Sequence, residues 1–549
     1  MFFTSASFIL FAAVTLLLYF IVPKRIQWWV LLTSSLAFYA LAGWADGKLY
    51  LPFILYTAVV TYVTSRVLQG RADREDAYVA AHRDDMTKAE RKAYRAKEKK
   101  KRFAILCVGL VFGLGLLVGW KLAASFFSDT DGLLGLFGMG REAIAAEKEG
   151  TLISQVLPLT SWVLPLALSY YTFQSVGYLI DVYRKSARAE QNFARLLLFV
   201  SFFPQLVQGP ISRFGALHEQ LITPHRFDGF SFRSGLLRVM WGYFKKLILA
   251  DTVAVAMGIL LKNPTQNTGS YVVLLILLYS AQIYGDFTGG IDIAIGLAEM
   301  MGIRLTENFD RPFSARSTKE YWNRWHITMG SWFTDYVFYP LSVCRPMQRI
   351  SSFFCDKWGN GFGMRLPVYT ATVVTWFLTG VWHGTGWNYI VWGLLNCLVI
   401  LVSRECEPLY RRFHKRFPRL VASGGWHFWQ AARTFLLMGL IRSLDCYRDV
   451  PLTFRLWFSI LTDWNWGSLF TGEMPLWGLL SLPQWGVVLA SVVVICVVSH
   501  MGKERPVRHR IAASGVLTCL VVCTALMLVL IFGRYGIDAA PPIYGGQFR

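Results

Sequence analysis

YVVLLILLYSAQIYGDFTGGIDIAIGLAEMM, residues 271–301, is a mostly apolar run that holds Gln282, Asp286 and Asp292 in its interior. A lipid hydrocarbon layer about 30 Å thick is crossed by roughly 20 residues of helix, so this run is long enough to span one. Carboxylates at that depth are expensive and mark candidate functional positions. The adjacent Gly289 and Gly290 predict a helix broken around a cavity, because irregular backbone is tolerated in lipid only where it is buried or wet. A second reading stays open, in which Asp286 and Asp292 pair with a neighbouring arginine and fix helix packing.

Comparable apolar blocks lie near 6–22, 27–44, 50–68, 103–120, 152–182, 236–261, 366–386, 388–404, 426–441, 475–499 and 511–532. Together they predict an all-α polytopic membrane protein with about ten to twelve crossings, some of them broken or re-entrant. Composition agrees: 54% of the 549 residues are hydrophobic and 16% charged, more apolar surface than a water-soluble core could hide. The first block has no basic residue before it and no small-residue cleavage site after it, so it reads as a retained helix with the mature chain starting at or near Met1. No period of 20 to 50 residues repeats, and residues 1–549 read as a single membrane domain.

The formal charge of +21 could suggest a nucleic-acid partner. The lysines and arginines instead sit in short segments beside the apolar blocks, where topology and the lipid bilayer account for them and no nucleic acid is needed. Placing positive loops in the cytoplasm puts 24–25, 66–102, 184–188, 404–419 and 503–510 inside. The segments 129–150 and 263–269, the N-terminus and the tail 533–549 then fall outside. Within the basic arm, 84–101 (DDMTKAERKAYRAKEKKK) reads as an exposed helix laced with charge pairs. The tryptophans of 443–473 suit an interfacial segment on the outer face. The nine cysteines show no CxxC and no zinc spacing, and read as buried thiols with no metal site.

Two further clusters carry candidate chemistry. Residues 321–335, YWNRWHITMGSWFTD, interleave Asn323, Arg324, His326 and Asp335 with tryptophans, as an interfacial anchoring helix would. Residues 380–387, GVWHGTGW, put His383 among small residues at the end of an apolar helix, where it is a base or a histidine bonded to a nearby carbonyl.

FQSVGYLIDVYR (173–184), FFPQLVQGPISR (202–213), QIYGDFTGGIDIAIG (282–296), ENFDRPF (307–313), YWNRWHITMGSWFTDYVFYPL (321–341) and GVWHGTGWNYIVWGLLN (380–396) occur in order over about 170–400. They closely resemble the bacterial branch of the membrane-bound O-acyltransferases, which includes alginate O-acetyltransferases and the D-alanyl transferases of teichoic acid. The resemblance implies a catalytic His383, a second family histidine in His326, and a central tunnel. It also implies a coenzyme A or acyl-carrier thioester as donor, an extracytoplasmic SGNH-type partner and a glycan acceptor at the bacterial inner membrane. The tail resembles a terminal aromatic motif in which a tyrosine, here Tyr544, carries the acyl group. Gly545 and Gly546 stand where bulkier residues are common.

Acyl transfer from a thioester to an alcohol needs a base, a group near the developing oxyanion, and exclusion of water. Histidine, with an ordinary pKa near neutral, suits the first task. The expected arrangement has His383 as base and His326 orienting or polarising the donor, with Asn323, Arg324, Asp335, Gln282, Asp286 and Asp292 in support. The acyl group expected is acetyl, bound for an exopolysaccharide or another cell-envelope glycan. Transfer of D-alanine from a carrier to teichoic acid is the rival within the family. A polysaccharide-precursor transporter, which would also use broken helices and intramembrane carboxylates, is the rival outside it.

Overall fold

The computed structural model describes residues 3–45, 50–128, 165–472 and 474–534, with backbone alone at 123–128. Among them the regular elements are helical, with one isolated antiparallel bridge between Phe309 and Trp325. Six helices are long and apolar enough to cross a membrane, and Ala6–Ile21, Val450–Thr462 and Val516–Phe532 are shorter apolar helices. Large apolar side chains point outward from them, Leu517 at 77% exposure and Val111 at 68%, as helices solvated by lipid require.

The principal helices are α1 (Ala6–Ile21), α2 (Gln27–Ala45), α3 (Leu51–Ala81), α4 (Lys88–Ser128), α5 (Leu168–Tyr183), α6 (Gly229–Tyr243) and α7 (Ser270–Met300). They continue with α8 (Leu366–His383), α9 (Trp387–Glu405), α10 (Gly424–Tyr447), α11 (Leu482–Met501) and α12 (Val516–Phe532). At the centre lies α7, and it corrects the first expectation: it runs unbroken for 31 residues through both glycines. Its glycines serve packing. A Cβ on Gly289 would lie 2.8 Å from the Gly242 carbonyl oxygen, and one on Gly296 would lie 2.6 Å from that of Gly235. Small residues facing one another let two backbones approach where no side chain could fit, a common device between membrane helices.

Below α6 the chain winds into a wider π turn, Phe244–Ala250, before resuming as Asp251–Leu260. This turn presents Lys245 and Lys246 to α7. Lys245 reaches Asp292 at 2.6 Å and Lys246 reaches Asp286 at 2.7 Å and Asp251 at 2.8 Å. Arg238 on α6 completes the first cluster, 2.8 Å from Asp292 and 2.5 Å from Glu307. Asp286 and Asp292 of α7 are therefore neutralised across the same glycine-lined seam.

The basic arm is the far end of an α3–α4 hairpin. Thr87 and Glu90 cap the start of α4, with the Thr87 amide donating to the Glu90 carboxylate at 2.8 Å. Tyr78 stacks on Tyr94 at 4.4 Å, and Arg102 pairs with Glu75 at 3.1 Å, so the two helices stay together beyond their apolar parts. In the segment 443–473 Trp464 is 79% exposed, while the Trp457 indole donates to Ser443. The segment 129–150 and Tyr544 lie outside the described residues.

Candidate active site

His326 sits where the chain reverses between two short helices, Thr318–Arg324 and Ile327–Phe333. Its φ of +49° is left-handed, a strained conformation for a side chain this size that the surroundings must hold in place. They do so through Asn308. The Ile327 amide donates to the Asn308 carbonyl at 3.0 Å, and the Thr328 amide and hydroxyl donate to the Asn308 Oδ1 at 3.0 and 2.9 Å. His326 Nδ1 lies 3.2 Å from the same Oδ1, and Phe287 of α7 meets the imidazole edge to face at 4.9 Å.

His383 is the last residue of α8. The chain leaves it through Gly384 in extended backbone and turns directly into α9. The turn is tight because a Cβ on Gly384 would lie 2.2 Å from the Tyr389 ring, and one on Gly380 or Gly393 would lie 2.6 or 2.5 Å from a neighbouring carbonyl oxygen. The glycines of GVWHGTGWNYIVWG thus close a helical hairpin, which presses Trp392 against the His383 imidazole at 4.9 Å and lays Tyr389 parallel to it at 6.5 Å. Lys121 of α4 donates to the Trp382 carbonyl in the last turn of α8, where a cation suits the helix dipole.

The two histidines meet around one indole: the Trp382 ring lies 4.7 Å from His383 and 6.2 Å from His326. Both imidazoles are buried. Every motif segment contributes to this neighbourhood. Phe173 of α5 stacks between Trp332, at 4.2 Å, and Trp382, at 5.5 Å. The Ile211 amide, from the 202–213 segment, donates to the Thr328 hydroxyl at 3.0 Å. Arg442 of α10 sits 4.1 Å over the Trp325 ring and donates to the Tyr321 hydroxyl at 2.5 Å, bracing the residues that lead into His326.

The remaining candidates are placed elsewhere. Asn323 is exposed, and Arg324 pairs with Glu320 at 2.7 Å. Asp335 is exposed and pairs with Arg213 at 2.8 Å on a groove that Lys99, Asp181 and Arg184 also line. Gln282 is half-buried on α7. Asp292 belongs to a cavity of about 730 Å³ walled by Arg238, Lys245, Glu307, Arg311 and Arg508, which neither histidine lines. Asn308 and Arg442 hold the site together, yet sequence reading did not single them out. Asn308 lay inside the quoted ENFDRPF, which was its only signal.

Residues 184–355 and 361–438 match the model of the MBOAT, or membrane-bound O-acyltransferase, family. The chain is 34% identical to the probable alginate O-acetylase of Pseudomonas aeruginosa over 302 residues, 54% of this chain and 51% of that protein. It is 31% identical to a peptidoglycan O-acetyltransferase of Helicobacter pylori, over 47% of this chain and 51% of the relative. It is 28% identical to a teichoic acid D-alanyltransferase of Bacillus subtilis, over 48% and 63%. The chain thus spans about half the length of the first two relatives. Both histidines fall within the matched residues, and the helical membrane architecture agrees with the match: over residues 184–438 this chain is similar to the membrane-bound O-acyltransferase family.

Proposed function

We propose that the protein moves an acyl group, acetyl in the first instance, from a cytoplasmic thioester through the membrane towards a hydroxyl of an extracellular or cell-envelope glycan. The observation that carries this reading is the pair of buried histidines flanking Trp382 where the family segments converge. His383 takes the proton of the attacking hydroxyl as the new C–O bond forms. The C–S bond then breaks, and the proton passes to the departing thiolate, so the imidazole ends as it began. The aromatic wall of Trp382, Tyr389 and Trp392 keeps bulk water from competing with the hydroxyl. A well-placed base contributes about 10²–10⁴-fold.

His326 positions the donor, which reaches it as a coenzyme A or carrier thioester. The setting that fits is the bacterial inner membrane with both termini outside, a glycan acceptor and an SGNH-type partner there, and Tyr544 as a relay for the acyl group. Similarity to alginate and peptidoglycan O-acetylating proteins supports acetyl. Similarity to a teichoic acid D-alanyltransferase supports D-alanyl as the second reading.

The test is ester incorporation into envelope glycan by wild type, His383→Ala and His326→Ala at matched membrane abundance, with acetyl and D-alanyl esters measured in parallel. Loss of acetyl ester in both variants is expected. Loss of D-alanyl ester alone selects the second reading, and wild-type levels of both esters in His383→Ala would remove the assignment.

A further inference from the structure

The Asn308 side chain makes three contacts at its oxygen, and together they decide which nitrogen of His326 carries a proton. The Thr328 backbone N–H, 3.0 Å away, can only donate, so the atom facing it is the carboxamide oxygen and not the nitrogen. The Thr328 hydroxyl accepts from the Ile211 amide and gives its own proton to the same oxygen at 2.9 Å. His326 Nδ1, 3.2 Å from that oxygen, must then donate as well. A neutral imidazole that donates from Nδ1 holds a bare lone pair at Nε2. The opposite tautomer would set two lone pairs face to face in a buried site, and is disfavoured for that reason. The other end of the amide, Nδ2, is buried and has no hydrogen-bond partner among the described residues. The Asn308 contacts are thus concentrated on the oxygen that orients His326.

We infer that Asn308 is a positioning residue that holds His326 as a hydrogen-bond acceptor at Nε2, a step that rests on reading this site as one of acyl transfer. In that state His326 cannot polarise a thioester carbonyl, which would need an N–H at Nε2. It receives a donor group that brings a proton, and the pantetheine arm common to coenzyme A and carrier thioesters offers amide N–H groups of that kind. Protonation of His326 removes the lone pair and with it the donor contact.

The test measures kcat/KM for ester formation from an acyl-pantetheine thioester, as a function of pH, in purified full-length wild type, Asn308→Ala and Asn308→Asp, with thermal unfolding recorded for each. Asn308→Ala, which also strips the Thr328 amide and hydroxyl of their acceptor, is expected to lower the unfolding temperature and to lose tenfold or more per folded molecule, beyond what that fall accounts for. Asn308→Asp keeps the acceptor oxygen and adds a charge that stabilises the imidazolium. Its activity is expected to recover at high pH, with the acid limb displaced upward by about one pH unit or more. An acid limb that stays in place or moves down in Asn308→Asp overturns the inference, and so does a loss in Asn308→Ala that tracks a fall in unfolding temperature. No ester from the wild type would be a failure of the acyl-transfer reading itself, whereas an active wild type with an unmoved limb in Asn308→Asp is a failure of the role given to Asn308.

Discussion

Asp292 accepts from Lys245 at 2.6 Å and from Arg238 at 2.8 Å, and Lys245 is 4% exposed. Asp292→Asn removes the charge and leaves the volume. Arg238 keeps Glu307 at 2.5 Å, so the cation left without its counter-charge is Lys245, with the Thr288 hydroxyl at 2.8 Å. Breaking one side of a buried pair costs about 3–5 kcal/mol, and the surviving Thr288 contact places this case near the lower end. About 3 kcal/mol is roughly a hundredfold in the folded-to-unfolded ratio. Lys245→Met in the same background removes the stranded charge at similar volume. The double variant should return to within about 1 kcal/mol of wild type, since apolar replacement of a whole buried pair is often neutral. The assay is titration of the purified protein in mild detergent with a denaturing detergent, followed by ester formation per folded molecule. Activity per folded molecule should hold in both variants, because Asp292 sits on a cavity that neither histidine lines. Wild-type stability in Asp292→Asn, or a double variant as unstable as the two singles summed, would refute the pairing argument.

Gly289→Ala places a methyl 2.8 Å from the Gly242 carbonyl oxygen, and the resulting strain should cost about 1–3 kcal/mol, read as lower membrane abundance and a lower unfolding temperature. Arg442→Lys gives up the planar contact on Trp325 at 4.1 Å and should lower stability by about 1–2 kcal/mol, with a loss of ester formation that the thermal shift alone does not explain. Asp228 caps α6, accepting from the Ser231 amide at 2.8 Å, and Asp228→Ala should cost about 1 kcal/mol at neutral pH. Hydrogen bonds from the Ser231 side chain and amide hold the Asp228 carboxyl below its ordinary range. Its contribution is therefore full above the unfolded carboxylate pKa and fades as pH falls through the folded value, so the gap between wild type and Asp228→Ala should close in acid unfolding below about pH 4.

Apolar runs were the legible part of the chain. A residue in lipid is helical and apolar for the same reason, and block after block became a helix near its expected bounds. The histidines were singled out by the family segments that hold them, since either ring alone also reads as a packing or anchoring residue, and the structure brings both to one indole. Gly289 and Gly290 misled because glycine permits two opposite outcomes, a bend or a closer neighbour. Choosing between them needs Gly242, which faces Gly289 from about 50 residues earlier, and Gln208, which faces Gly290 from about 80. The alternative for Asp292 named an arginine and met Arg238, but Lys245 and Lys246 reach their carboxylates from a π turn that apolar periodicity does not register. Asn308 was least legible. Its contacts with His326 and Thr328 span some twenty residues that include the short helix Thr318–Arg324, and an asparagine in a loop carries no pattern that marks such a bond.

The placement of charge follows from the solvent. Ions at membrane depth persist only when neutralised and hydrogen-bonded. Asp286 and Asp251 share Lys246, and Asp292 shares Arg238 and Lys245, so each group forms part of a closed unit on the α6–α7 seam. Phe287, one residue beyond Asp286 on α7, turns its ring to His326 instead. The same helix thus carries ionic packing on one face and an aromatic wall of the histidine site on another. A histidine that must stay neutral to serve the proposed transfer gains from that separation, because a carboxylate beside it would favour the protonated ring. Asn308 meets the same requirement from the other side: as a neutral acceptor it orients His326 without adding a charge, which is why replacing it with aspartate is the change that most directly tests whether neutrality at His326 matters.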